Sequence, residues 1–359
     1  MSKSLVNLNN NIDFTKEPIF FGQELNLERY DKFRYPVFFE FFKKQMEMFW
    51  KPEEIDISKD RADYKNLQEH EKFIFTSNLK YQILLDSIQG RGIPHLTEYL
   101  SNPEVEAFCS AWAFFEVNHS YSYTYIIKNV YSNPSEIFDN ILNDEEIIKR
   151  TKSVTKYYDD YINSFGDEDI NDKKKKLYLT LISINILEGI RFYVSFSTAF
   201  ALSKSGKMEG NAKIISLICR DENLHLGFTQ KLIKELMKNK EEGFVEIAEE
   251  LKDVVIEMYR DAANEEMAWA DYIFSKGSLL GLNAEISKQY MQFITNERMK
   301  TIGLEPIFDK NIKNPITWIN SFISSKGNSD APQETEITSY NIGAVKSDLS
   351  TTDFSDYDL

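Results

Sequence analysis

The sequence predicts an all-α protein, and three observations carry that prediction. Glycine and proline are sparse, 14 and 9 in 359 residues, while helix-forming residues are plentiful. Apolar residues recur at steps of three and four over long stretches. Apolar side chains make up 42% of the chain and aromatics 14%, including 26 Phe and 19 Tyr, enough for a substantial core. The length suits one large domain or two ordinary ones.

Each helix can be placed from its punctuation. Residues 1–34 read as a polar N-terminal arm. A helix begins at Pro36, a first-turn position where the missing N–H is harmless, and runs to about Trp50 before Lys51-Pro52 breaks it. The next covers about 66–90 and stops at Gly90. Asn102-Pro103, a cap followed by a first-turn proline, opens a long helix to about Val130. Asn133-Pro134 starts a shorter segment, and a polar helix follows near 143–164. After an acidic turn at 166–172, the run Lys173 to Lys176 leads into an apolar helix that Gly206 ends. Further helices cover about 210–239, 243–275 and 284–301. From Ser324 to Leu359 the composition shifts to Ser, Thr, Asp, Asn and Gly, with Tyr340, Phe354 and Tyr357 set apart. Such a stretch buries too little apolar surface to offset its ordering entropy. It predicts a flexible tail, and isolated aromatics in an acidic tail mark a docking peptide. The expected organisation is an arm (1–34), a helical domain (35–323) and the tail (324–359).

Composition also excludes functions. A net charge of −15 makes a poor nucleic-acid binder. Cys109 and Cys219, the only cysteines, lie in apolar helical segments, as reduced thiols of a cytoplasmic protein do. No basic-then-apolar secretory pattern opens the chain. The apolar run 177–202 could span a bilayer, but Glu188 and Arg191 at its middle favour a core helix over a membrane span.

The informative feature is where the charges fall. Glu116 and His119 are three apart, as are Glu222 and His225, and only four histidines occur in the chain. Positions i and i+3 share a helix face. Trp112, Glu116, His119, Tyr123 and Ile127 form one stripe; Ile215, Ile218, Glu222, His225 and Leu232 form another. Asp86 follows Phe75, Leu79 and Ile83 on a third, and Glu188 sits between Leu181, Ile184, Phe192 and Phe196 on a fourth. In each case a charge occupies a position expected to be buried. An unpaired buried carboxylate carries a desolvation cost of several kcal/mol, and Arg191 is one of few cations available to offset it. Two divalent ions, about +4 together, neutralise four carboxylates. Carboxylate and imidazole donors suit iron or manganese, whereas a structural zinc site favours thiolates. Four helices supplying carboxylate, Glu-x-x-His, carboxylate and Glu-x-x-His match the ferritin-like dinuclear bundle. His70, in a charged run, and His95, in a loop, stay outside this set.

The fold does not decide the chemistry. Tyr123 lies one turn after His119 beside the expected metals, placed for one-electron oxidation, with Ile218, Phe192 and Phe196 expected to keep it dry; by position alone it reads equally as a core tyrosine. Trp50 could relay an electron or simply pack. Asp221, next to Glu222, could orient His119. Tyr340 is redox-active but detached from any core. Iron storage and diiron oxygenation remain the alternatives at this point.

At these residues the chain resembles the small, radical-generating subunit of class I ribonucleotide reductase, of the aerobic bacterial and phage type. The carrying segments are Ser77-Asn78-Leu79-Lys80-Tyr81 through Leu85-Asp86-Ser87-Ile88-Gln89-Gly90-Arg91, Trp112 through Tyr123, Leu187-Glu188-Gly189-Ile190-Arg191 through Phe196, and Arg220-Asp221-Glu222-Asn223-Leu224-His225. Asn314-Pro315-Ile316-Thr317-Trp318-Ile319-Asn320 and Pro332-Gln333-Glu334-Thr335-Glu336 with Tyr340 also fit. The resemblance covers nearly the whole chain.

It implies two iron ions per chain, cycling between Fe2+ and Fe3+ with a bridging oxide; manganese is accepted by the same ligand types. One metal takes Asp86, Glu116 and His119, the other Glu188, Glu222 and His225, with Glu116 and Glu222 bridging. Tyr123 matches the residue that holds the stable radical after activation with O2 and reductant. Trp50 and Asp221 match the start of an electron path, Tyr340 the tail tyrosine that passes the oxidising equivalent on, and Glu334 a carboxylate that assists it. Residues 354–359 match the peptide that docks on the large, catalytic subunit, and a homodimer is implied. Tyr121 adds a second oxidisable phenol expected beside the site. The chain has no Walker-type loop and no Cys-x-x-Cys, so ribonucleotide reduction is expected on the partner polypeptide.

Overall fold

The computed structural model describes residues 6–9, 11–166 and 169–323. The expected tail (324–359), with Glu334, Tyr340 and the docking residues, lies outside the described residues.

Among the described residues, thirteen α-helices form the architecture. They are α1 (Pro36–Glu47), α2 (Asp60–Asn66), α3 (Glu69–Gly92), α4 (Pro103–Val130), α5 (Pro134–Phe138), α6 (Glu145–Asn163), α7 (Ile170–Ile186), α8 (Tyr193–Lys204), α9 (Glu209–Lys238), α10 (Val245–Glu250), α11 (Lys252–Ile273), α12 (Ala284–Thr301) and α13 (Asn320–Ile323). Among the described residues β-structure is limited to two isolated bridges, Phe20 with Leu100 and Leu279 with Leu282. The start signals act as their chemistry dictates. Asn102 Oδ1 accepts from Val105 N at 3.0 Å with Pro103 behind it, and Gln68 and Glu71 form a reciprocal capping box on α3.

The core is five helices: α3 packed along α4, α8 along α9, and α7 and α4 on α9. Outer helices cover them, α1 on α4, α6 on α3 and α7, and the α11–α12 pair on the α7–α8 junction. The stretch Ile170–Lys204 is long and apolar enough to cross a membrane, yet 94% of its most apolar 18-residue window is buried inside the fold.

Four features differ from the sequence reading. The first helix stops at Glu47, so Trp50 lies beyond its end. The apolar helix is not uniform: Leu187–Arg191 forms a π-helical turn between α7 and α8, a widening that often marks functional positions. The expected helix 243–275 is broken at Leu251 into α10 and α11. The arm is not merely polar, since Ile19 and Phe20 are buried. Ile19 N donates to Glu242 Oε2 at 2.6 Å, and its carbonyl accepts from Ser101 N at 2.9 Å.

Candidate metal centre

Asp86 comes from α3, Glu116 and His119 from α4, Glu188 from the π-turn, and Glu222 and His225 from α9. All six are at most 1% exposed. Their donor atoms form two groups, each drawn within 4.8 Å: Asp86, Glu116, His119 and Glu222, and then Glu116, Glu188, Glu222 and His225. Glu116 and Glu222 belong to both. Glu222 presents Oε1 to His119 Nδ1 at 3.1 Å and Oε2 to His225 Nδ1 at 2.8 Å. Glu116 presents Oε2 to His119 Nδ1 at 3.7 Å and Oε1 to His225 Nδ1 at 3.3 Å. Each of the two shared carboxylates thus has one oxygen per group, the geometry of a bridge.

The pocket is short of partners. Both Asp86 oxygens, Glu116 Oε2, Glu188 Oε2, Glu222 Oε1 and His119 Nδ1 have no hydrogen-bond partner among the described residues. Orphaned buried polar atoms cost about 1–3 kcal/mol each, and such a cluster needs an explanation. A pair of divalent cations fits these donors. Arg191 does not neutralise them: its guanidinium pairs with Glu265 at 2.8 Å and donates to Ser153 Oγ.

Electrostatics points the same way. Burial, then the charges of Glu116 and Glu222, push Asp86 well above the usual carboxylate range. Burial, then Glu222 and Glu116, do the same to Glu188. Burial opposes a charged His119 and His225, but the facing carboxylates, Glu222 chief among them for His119 and Glu116 and Glu222 for His225, raise both. Glu222 goes the other way: burial would raise it, and the two imidazoles outweigh that and hold it low. Without cations, this pocket stores protons.

Around the six lie further contacts. Trp50 Nε1 donates to Asp221 Oδ2 at 2.8 Å, and His119 Nε2 meets the same oxygen at 3.2 Å. An indole, a carboxylate and an imidazole therefore form one continuous buried chain. Asp221 Oδ1 also accepts from Arg220 at 3.3 Å. Tyr123 is fully buried, and its hydroxyl has no hydrogen-bond partner among the described residues; burial and then the Asp86 charge keep it protonated far above its ordinary range. Ile218, Phe192 and Phe196 are likewise fully buried. Tyr121 is not beside the site. It is 48% exposed and donates to Glu53, because residues two apart on a helix face apart. His70 is half-buried, His95 exposed, and both cysteines are free and buried.

Three residues escaped the sequence reading as site components. Trp112 Nε1 donates to Glu116 Oε1 at 2.9 Å; its place four residues before Glu116 could have signalled this. Gln89 Nε2 donates to Glu188 Oε1; it lies one turn past Asp86, the available clue. Tyr158 donates to Gln89 Oε1 at 2.7 Å, and nothing local in the sequence foretells that contact.

Fold and pocket together define a ferritin-like helical protein with a candidate dinuclear carboxylate–imidazole centre. The family described as ribonucleotide reductase, small chain, matches residues 28–315. The chain is 47% identical to the ribonucleoside-diphosphate reductase subunit beta of Buchnera aphidicola subsp. Baizongia pistaciae, over 96% of each. It is 47% identical to ribonucleoside-diphosphate reductase 1 subunit beta of Escherichia coli O157:H7, over 97% of each. Among solved structures, the ribonucleotide reductase R2 subunit from Clostridium botulinum superposes with a TM-score of 0.81 at 29% identity, covering 90% of this chain and 98% of that one. The chain belongs to the ribonucleotide reductase small-chain family, and its enzyme class is that of ribonucleoside-diphosphate reductase.

Proposed function

We propose that this chain generates and stores a tyrosyl radical at Tyr123 and delivers its oxidising equivalent to a large, catalytic subunit that reduces ribonucleoside diphosphates. The observation that carries the reading is the pair of donor groups sharing Glu116 and Glu222. Asp86, Glu116 and His119 would hold one ion and Glu188, Glu222 and His225 the other, with Glu116 and Glu222 bridging. Iron is the proposed metal, and the same donors accept manganese. When bound and supplied with O2 and reductant, the pair provides the one-electron oxidation that Tyr123 needs.

The remaining work belongs to the protein. Fully buried Phe192, Phe196 and Ile218 exclude water, so a neutral phenoxyl survives. Losing proton and electron together leaves Tyr123 uncharged in both states, which a dry interior favours. Asp221 holds the His119 Nε2–H and the Trp50 N–H on one oxygen, a fixed path for an electron between the centre and Trp50, just beyond the end of α1. Iron storage or oxygenation would have no use for that path. The segment 324–359 is proposed to dock on the large subunit, with Tyr340 as the exit residue, Glu334 assisting it and residues 354–359 as the anchor; residues 1–34 and 35–323 are the proposed arm and radical-generating domain. A homodimer is proposed on the outer face of α4, where Phe114, Val117 and Tyr121 are exposed at helical spacing. The acidic, free-thiol composition suits the cytoplasm.

The test is reconstitution of metal-free full-length protein with ferrous iron and O2. Wild type should take up two irons and show an organic radical by electron paramagnetic resonance. Tyr123→Phe should take up the same iron and show no such signal. A radical of undiminished yield in Tyr123→Phe would remove Tyr123 from this role.

A further inference from the structure

Glu188 has the least regular support of the six. It sits in the widened turn Leu187–Arg191, where the backbone departs from the α-helical ladder that fixes its counterparts. Its side chain is held from outside, by Gln89 of α3, whose Nε2 donates to Glu188 Oε1. The other oxygen, Oε2, has no hydrogen-bond partner among the described residues and lies 3.9 Å from His225 Nδ1. One oxygen is occupied and one is offered to the pocket.

Gln89 is itself oriented. Its Oε1 accepts from the Tyr158 hydroxyl at 2.7 Å. With that proton on the carbonyl side, only the amide N–H can face Glu188, so the donor direction is fixed. Tyr158 reaches in from α6, a helix that contributes none of the six donors. Its ring lies against Gly92, where a Cβ would come within 2.4 Å of two ring atoms; only glycine leaves room for it. Gln89 and Tyr158 are 0% and 3% exposed. Because Gln89 follows Asp86 by one turn, a single helix offers a donor to one group and restrains a donor of the other.

We propose that Gln89, aimed by Tyr158, is a positioning residue that leaves a single oxygen of Glu188 for the second ion and so sets that ion's affinity and coordination. The proposal rests on the metal-centre reading above, and its test separates the two. Metal-depleted full-length wild type, Tyr158→Phe and Gln89→Leu are titrated with Mn(II), following free ion by electron paramagnetic resonance, and with Co(II), following its visible absorption. Tyr158→Phe keeps the ring against Gly92, so packing alone would not distinguish it from wild type, and far-ultraviolet circular dichroism verifies the helical fold of both variants. Wild type should bind two ions. Both variants should bind the first ion as wild type does and the second about ten- to a hundredfold more weakly, with altered Co(II) absorption for the second ion only. Wild-type affinity and spectra at both ions in the two variants would overturn the proposal, as would equal weakening of both ions. A wild type that binds no ion pair would instead overturn the metal centre itself.

Discussion

Loading the centre should expel protons. Asp86 and Glu188 are raised well above the usual carboxylate range, and His119 and His225 above the usual imidazole value. Each shift favours the protonated form in the metal-free pocket, and a group protonated there must lose its proton to become a ligand. Taking up two divalent ions should therefore release about four protons. The exchange also balances charge, since about +4 enters as cations and about +4 leaves as protons. A pocket at most 1% exposed cannot carry uncompensated charge in either state. The assay is calorimetric titration of metal-depleted protein with Mn(II) in buffers of different ionisation enthalpy, which gives the protons released directly. The affinity for the pair should climb as pH rises, flattening as the free groups deprotonate. Release of one proton or none, or an affinity independent of pH, would refute the reasoning.

Other consequences can be measured separately. Asp221→Ala strands the Trp50 indole N–H and His119 Nε2 without their shared acceptor; it should lower the unfolding free energy by about 2–5 kcal/mol in urea and slow holoenzyme turnover, and an unchanged midpoint would contradict it. Burial raises Glu266 from 4.5 to about 7 against the opposing pull of Arg191. A carboxyl with a raised folded pKa costs stability as pH rises, starting above about 4.5 and complete above about 7, here about 3 kcal/mol in total. Glu266→Gln in metal-loaded protein should flatten that decline between about pH 5 and 8, and an identical slope would exclude Glu266 as its cause. Tyr340→Phe should keep the metals and the Tyr123 radical while abolishing turnover with the large subunit, and retained turnover would remove Tyr340 from the path.

The helices and the six converging side chains were readable because each breaks a simple rule. A Pro after Asn marks α4, and a charge on an apolar stripe marks a place where something must be neutralised. Asp86 and Glu188 stood out for that reason, although neither has a histidine partner on its own helix. What was hidden depends on contacts between distant segments. The π-turn is invisible because Ile184, Glu188, Phe192 and Phe196 keep steps of four, so the stripe reads as plain α-helix; packing of α9, α11 and α12 against the turn holds the extra residue. The break at Leu251 has no Gly or Pro to announce it. Tyr158 belongs to the site only because α6 docks on α3. Tyr121 was legible and misplaced: its two-residue separation from Tyr123 already puts it on the far side of the helix.

The π-turn makes the path from α7 to α8 one residue longer than a straight helix needs. That surplus sets the rotational phase between two halves of what is otherwise a single rod. Deleting one residue of Leu187–Arg191 would let the rod close to ordinary pitch, and the widened turn that carries Glu188 would be lost. In any effort to transplant this scaffold, residue count across that segment is as binding a constraint as residue type.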